Sequence, residues 1–212
     1  MTASLSSLRF VDLLASFRSP SPTPGGGSAS ALAGAVGASL LAMVAALPKP
    51  RATTADDQQR LAAAGSRCAQ LSERLASLID RDSDAYDGVV SAFRLPKASD
   101  DERRIRTAQI QEALRSATEV PLEIMRASAE AIRAAADVAA FGNGNASSDV
   151  QVGLELLMAA LRGAKLNVAI NLTSLKDGAY VEATGQEAER VELTAEAARR
   201  TAVESLPSPQ QS

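Results

Sequence analysis

The sequence predicts an all-α fold, a bundle of long helices around a buried central helix rich in alanine and glycine. Three observations carry this. No stretch alternates apolar and polar residues with period two over a strand's length, and β-branched residues are sparse. Apolar residues recur instead at steps of three and four, as one face of a helix requires. Residues 22–47, PTPGGGSASALAGAVGASLLAMVAAL, carry no charge and consist mainly of small side chains.

The elements follow in order. A short first helix covers about Ser6 to Phe17, with Leu8, Val11 and Leu14 on one face. RSPSPTPGGG cannot be helical, because Pro20, Pro22 and Pro24 remove donors and restrict the residues before them. Ser28 is the expected N-cap of the smooth helix, and LPKPR ends that helix before Pro50. A second long helix runs from about Ala55 to Phe93 and is closed by RLPKASDDE. The third begins near Ser99 and carries Pro121, which is expected to kink it and free the carbonyl of Ala117. FGNGNASSD reads as a loop, and a fourth long helix follows from near Ser148 to about Leu175. A charged last helix covers about Gly185 to Glu204. LPSPQQS, 206–212, is expected to be a disordered tail, leaving 1–205 as a single helical domain.

The smooth helix, Ala29 to Leu47, is just long enough to cross a bilayer core of about 30 Å. Its Ala, Gly and Ser contribute little transfer energy, and no aromatic or cationic belt precedes it. The other helices are amphipathic and need a partner for their apolar stripes, which an all-apolar helix at the centre supplies. A buried core helix is therefore the reading, not a membrane span. Its Ser30, Gly34 and Ala38 recur every four residues, so another backbone can approach that face closely.

Composition excludes several functions. A net charge of −3 gives no general attraction to nucleic acid or anionic lipid. Aromatics at 3% are too few for base-stacking platforms. The single Cys68 argues against a disulfide framework or structural zinc site and suits a reducing cytoplasm. The N-terminus lacks a cationic start, so no signal peptide is expected. With no histidine in the chain, no Ser-His-Asp triad, Cys-His pair or His-liganded metal is possible. Any proton transfer falls to Asp, Glu, Lys, Tyr or water.

Two places stand out for chemistry. Gly25, Gly26, Gly27 and Ser28 open the smooth helix, where backbone amides can face an anion; the blander reading is a tight turn with a serine cap. The motif lacks the Lys-Ser/Thr of a phosphate-binding loop, and no strand precedes it. On the second long helix, Leu61, Ala64, Cys68, Leu71, Leu75 and Leu78 form an apolar stripe that resumes at Tyr86, Val89 and Phe93. Asp82 sits in the gap. An acid there is paired, hydrogen-bonded or open to a cavity, unless the helix bends and lets it reach water. Asp80, Asp84 and Asp87 point elsewhere and read as a solvated face. On the fourth long helix, Asp149 and Asn167 share a face with Asn171 one turn beyond. Asp149 and Asn167 are about 27 Å apart, so they serve different parts of a long groove or meet across a symmetric partner. Asp149 is equally explained as a first-turn acid favoured by the helix dipole.

These residues resemble the cyclodeaminase/cyclohydrolase family, which includes the cyclodeaminase domain of formiminotransferase-cyclodeaminase and stand-alone methenyltetrahydrofolate cyclohydrolases. PTPGGGSASALAGAVGASLLAMVAAL looks like its opening signature. DRDSDAYDGVVSAFRLPK (80–97), IQEALRSATEVPLE (110–123) and SDVQVGLELLMAALRGAKLNVAINLTSLKD (148–177) look like later blocks in the same order. The resemblance implies an all-helical homodimer that binds one-carbon-substituted tetrahydrofolate as substrate, with no metal or other cofactor. It implies a pterin groove lined by Gly25, Gly26, Gly27 and Ser28, with Tyr86, Asn167 and Asn171 as further binding residues and Asp82 and Asp149 as catalytic acids. Cyclohydrolase and cyclodeaminase chemistry both fit. The cyclohydrolase is the expectation, because no formiminotransferase domain is attached. One segment departs: where the family often carries a lysine-rich stretch of the kind LTxGKKKY, this chain has LPKPRATT. That departure supports the alternative, a non-catalytic folate-binding or scaffold helical dimer.

Overall fold

The computed structural model describes residues 4–207, and six α-helices account for most of them. A 3-10 turn at Leu5–Ser7 precedes α1 (Phe10–Phe17), followed by α2 (Gly26–Ala46), α3 (Ala55–Phe93) and α4 (Asp100–Phe141). A second 3-10 turn at Gly144–Ala146 leads into α5 (Ser147–Leu172), and α6 (Gly178–Glu204) completes the bundle. The helix class is as the sequence predicts.

Helix α2 is the central element. It lies between α3 and α5, with Ala31, Ala38, Leu41 and Val44 fully enclosed. Its small residues let neighbours come close. A Cβ on Gly37 would lie 2.7 Å from the Gly153 carbonyl oxygen, so α2 and α5 cross nearly backbone to backbone. The main core joins residues of α2 through α6, including Leu75, Leu78, Met125, Ile132 and Leu157. Gly26–Ala46 is long and apolar enough to cross a membrane by composition alone, yet one side of it is this core.

Capping fixes two long helices. Thr54 and Asp57 form a capping box at α3, and Ser99 and Glu102 do the same at α4. Pro121 lies inside α4, where its ring removes the donor that would meet Ala117. Asn171 of α5 takes that place: its side-chain amide donates to the Ala117 carbonyl at 2.8 Å. Replacing Asn171 by Ala is expected to strand that carbonyl and lower stability by about 1–2 kcal/mol, read by urea unfolding.

Several expectations are corrected. Ser28 does not cap α2; Gly25 occupies the N-cap, and Ser28 is buried in the first turn facing α3. The first helix begins at Phe10, because Ser4, Leu5 and Ser6 wrap around the Asp80 carboxylate in a 3-10 turn. Helix α6 starts seven residues before Gly185, at Gly178, where the Asp177 carboxylate accepts from the Tyr180 amide at 3.0 Å. Gly185 sits in open space inside that helix and does not break it. The α3 stripe is buried from Leu61 to Leu78, but Tyr86 and Phe93 are exposed. Asp82 lies level with the start of α2, so the last turns of α3 extend past α2 and pack on early α4, through Ala92, Ile110 and Leu114, with Leu175 beside them. Of the expected tail, Leu206 packs against the core and 208–212 lie outside the described residues.

Candidate functional site

The site is built where α2 begins. Gly25 is extended, at φ −114° and ψ −157°, and the chain turns from there into the first helical turn. At Gly27 a Cβ would fall onto the Asp82 carboxylate, so only glycine lets α3 come this near. Asp82 is half-buried, and Oδ2 accepts from the Ser28 amide at 2.8 Å. The Ser28 hydroxyl lies 3.0 Å from the same oxygen and 2.8 Å from the Ile79 carbonyl. Among the described residues no Lys or Arg forms an ion pair with Asp82.

That arrangement suits a group that changes protonation. Burial pushes the Asp82 carboxyl above its usual range, and the hydrogen bonds from the Ser28 hydroxyl and amide only partly offset this. When Asp82 is ionised, the serine hydroxyl can turn towards it. When it is protonated, the hydroxyl can serve Ile79 and accept the new O–H. Both states keep their partners.

Asn167 approaches from the other side of α2. Its Nδ2 lies 3.4 Å from where a Gly26 Cβ would be and donates to the Gly163 carbonyl at 2.9 Å. Asp82 and Asn167 thus flank Gly26 and Gly27 from α3 and α5. Tyr86 stands one turn beyond Asp82 and is 43% exposed. Asn171 is committed to Ala117. Asp149 is half-buried in the first turn of α5, at the opposite end from Asn167. One chain therefore gathers Gly25 to Ser28, Asp82 and Asn167, and leaves Asp149 out.

An open cleft of about 900 Å³ lies beside this cluster, between the 3-10 turn, α1, the 19–24 segment and α3. Ser83 and Pro24 border both, but the cleft's own walls carry Asp12, Asp80, Asp84 and Asp87, a poor lining for an anionic ligand. Asp80 belongs to the architecture. Partial burial raises its carboxyl, but hydrogen bonds from Ser6, Ser4 and the amides of Leu5 and Ser6 outweigh this and hold it below the usual range. The solvated-face reading missed it, since its partners lie more than seventy residues away. Among the described residues no cluster of three His, Cys, Asp or Glu could hold a metal ion. Burial pushes the Cys68 thiol up to about 12, which makes it inert packing.

Comparison with known proteins gives a consistent family. The family model described as formiminotransferase-cyclodeaminase matches residues 9–190. A methenyltetrahydrofolate cyclohydrolase of Methylorubrum extorquens is 41% identical over 173 residues, covering 82% of each chain. A formimidoyltransferase-cyclodeaminase of Rattus norvegicus is 36% identical over 166 residues, which are 77% of this chain and 30% of that one. In three dimensions the fold matches the crystal structure of a formiminotetrahydrofolate cyclodeaminase from Thermotoga maritima, with a TM-score of 0.84 at 24% identity over 95% of this chain and 97% of the other. Sequence and fold agree over nearly the whole length, and the chain belongs to the formiminotransferase-cyclodeaminase family.

Proposed function

We propose that this protein is an enzyme acting on the one-carbon unit that bridges N5 and N10 of tetrahydrofolate, as a methenyltetrahydrofolate cyclohydrolase. The observation that carries the chemistry is Asp82, a half-buried carboxyl with no cation partner among the described residues, held at the glycine-opened start of α2 by Ser28. The 41% identity to a cyclohydrolase over most of both chains favours that reaction.

Water adds to the electrophilic methenyl carbon of the cationic substrate and gives up a proton. The N5–C bond then breaks, N5 keeping the electron pair and taking up a proton as the added hydroxyl gives up its own to become the formyl carbonyl, and 10-formyltetrahydrofolate remains. Ionised Asp82 accepts the water's proton and stabilises the cation before attack. The flat pterin lies against the backbone of Gly25 to Gly27, with Tyr86 and the Asn167 amide at its edges. Asp82 is also suited to cyclodeamination, where the acid must be protonated as ammonia leaves. Its raised pKa makes that second reading chemically available. We place the enzyme in the cytoplasm, which suits the buried free thiol, and as a homodimer.

The test is to incubate purified protein with methenyltetrahydrofolate and follow loss of its absorbance, with ammonia release from the formimino compound as the second arm. Acceleration over buffer in the first arm is the expected result. Ammonia alone would assign the cyclodeaminase. Folate binding without turnover in either arm would establish the non-catalytic alternative.

A further inference from the structure

Each turnover of the reaction above leaves one proton over. A cationic one-carbon unit and water become a neutral formyl group, so the proton that water gives up ends on Asp82 and is not returned to the folate. Asp82 must discharge it before it can act on the next water. The pterin covers the side of the carboxyl that faces Gly25 to Gly27. The side away from it opens on two serine hydroxyls.

Ser28 is fully buried, and its hydroxyl has three acceptors within reach: Asp82 Oδ2 at 3.0 Å, the Ile79 carbonyl at 2.8 Å and Ser83 Oγ at 3.3 Å. The Ile79 contact changes what Ser83 can do. A serine inside a helix commonly returns its hydroxyl to the carbonyl four residues before it, which for Ser83 is Ile79. Here Ser28 reaches across from α2 and takes that carbonyl. Among the described residues the Ser83 hydroxyl has no hydrogen bond except the one with Ser28. Ser83 is half-buried, and it lines the open cleft of about 900 Å³ on the same helix face as Asp80, Asp84 and Asp87. The carboxylates that make this cleft a poor lining for an anion favour a departing proton and any cation that collects it.

We propose that Ser83 is the exit for the proton that each turnover leaves on Asp82: the Ser28 hydroxyl hands it on, and Ser83 delivers it to water in the acidic cleft. The protonated carboxyl turns about its Cβ–Cγ bond, a torsion with broad wells, until its O–H points at Ser28 Oγ. That O–H bond breaks as Ser28 gains the proton. Ser28 gives its own proton to Ser83, and Ser83 gives its own to water. Each serine ends with one proton, turned the other way, and rotates back before the next cycle. Ser83 meets neither the folate nor the reacting atoms, so it acts only through Ser28 and Asp82. The exit rests on the folate reading above, because that reaction supplies the proton.

The test compares unmutated protein with Ser83→Ala on methenyltetrahydrofolate, in dilute buffer and again with added imidazole, a proton carrier that a chain without histidine does not hold. Uncatalysed hydrolysis is subtracted in each buffer. Discharge follows the chemical step, so its loss lowers kcat and leaves kcat/KM unchanged. In dilute buffer the Ser83→Ala kcat is expected to fall about tenfold, short of the roughly hundredfold or more that losing the acid itself costs. Imidazole is expected to restore most of that loss while hardly accelerating the unmutated enzyme. A serine that merely holds Ser28 and Asp82 in place would lower kcat and kcat/KM together when removed, with no response to imidazole, and that result would overturn the exit. So would an unchanged kcat for Ser83→Ala in dilute buffer. Both results leave the folate reading standing. Unmutated protein that turns over no methenyltetrahydrofolate in either buffer would defeat that reading, and the exit with it.

Discussion

Asp82→Asn is expected to lower turnover by about two orders of magnitude or more, the usual worth of a general acid or base. The fold should survive. Asparagine keeps the shape, and its side-chain oxygen can still accept from the Ser28 amide and hydroxyl. Stability should respond to pH in a defined direction. Because the folded-state pKa is raised, ionisation favours the unfolded chain, so the acid's favourable contribution is present below about pH 3.9 and is lost as pH rises through the folded value. At neutral pH the Asn variant should therefore melt no lower than the unmutated protein, and its advantage should vanish towards the acidic end. A clear drop in Tm at pH 7 would instead make Asp82 a structural acid. Retained turnover would remove it from the chemistry altogether.

Gly27→Ala is the second large effect. Its added methyl falls onto the Asp82 carboxylate, and either Asp82 swings away from Ser28 or α3 shifts from α2. Overpacking of this kind costs about 1–3 kcal/mol, and a displaced base gives up most of its rate contribution. Turnover is expected to fall at least as far as in Asp82→Asn, now with a lowered Tm. Gly185→Ala, in open space on α6, is the control and should change neither. An active Gly27→Ala enzyme would mean that the carboxylate's position at α2 has no part in catalysis.

What the sequence showed, and what it hid, follows from the range of each signal. Asp82 was visible because a single polar residue broke a stripe with steps of three and four, a local pattern in one helix. The consequence of Pro121 was visible for the same reason, down to the Ala117 carbonyl; that Asn171 would meet it was not, because the two lie fifty-four residues apart. Ser28 was misplaced as a cap because capping serines and buried serines look alike until the neighbouring helix is known. Asp80 looked like its solvated neighbours for the same cause: its partners come from the far N-terminus. Tyr86 and Phe93 continued a stripe whose partner helix had already ended.

The crossing of α2 and α5 has a consequence for how this gene can vary. A side chain at Gly37 would meet the Gly153 carbonyl oxygen and one at Gly153 the Gly37 carbonyl oxygen, and Gly34 is enclosed by Ala160 and Leu75. Because each contact is to the other's backbone, a change at one glycine cannot be offset by a change at the other, and both are held. A saturation library of α2 should therefore score as a wave with helical period. Depletion should be deepest at Gly27, Gly34, Gly37 and Ala38, and relaxed at Ala46, which is exposed. The monotony of the segment is a record of its neighbours, written one small residue at a time.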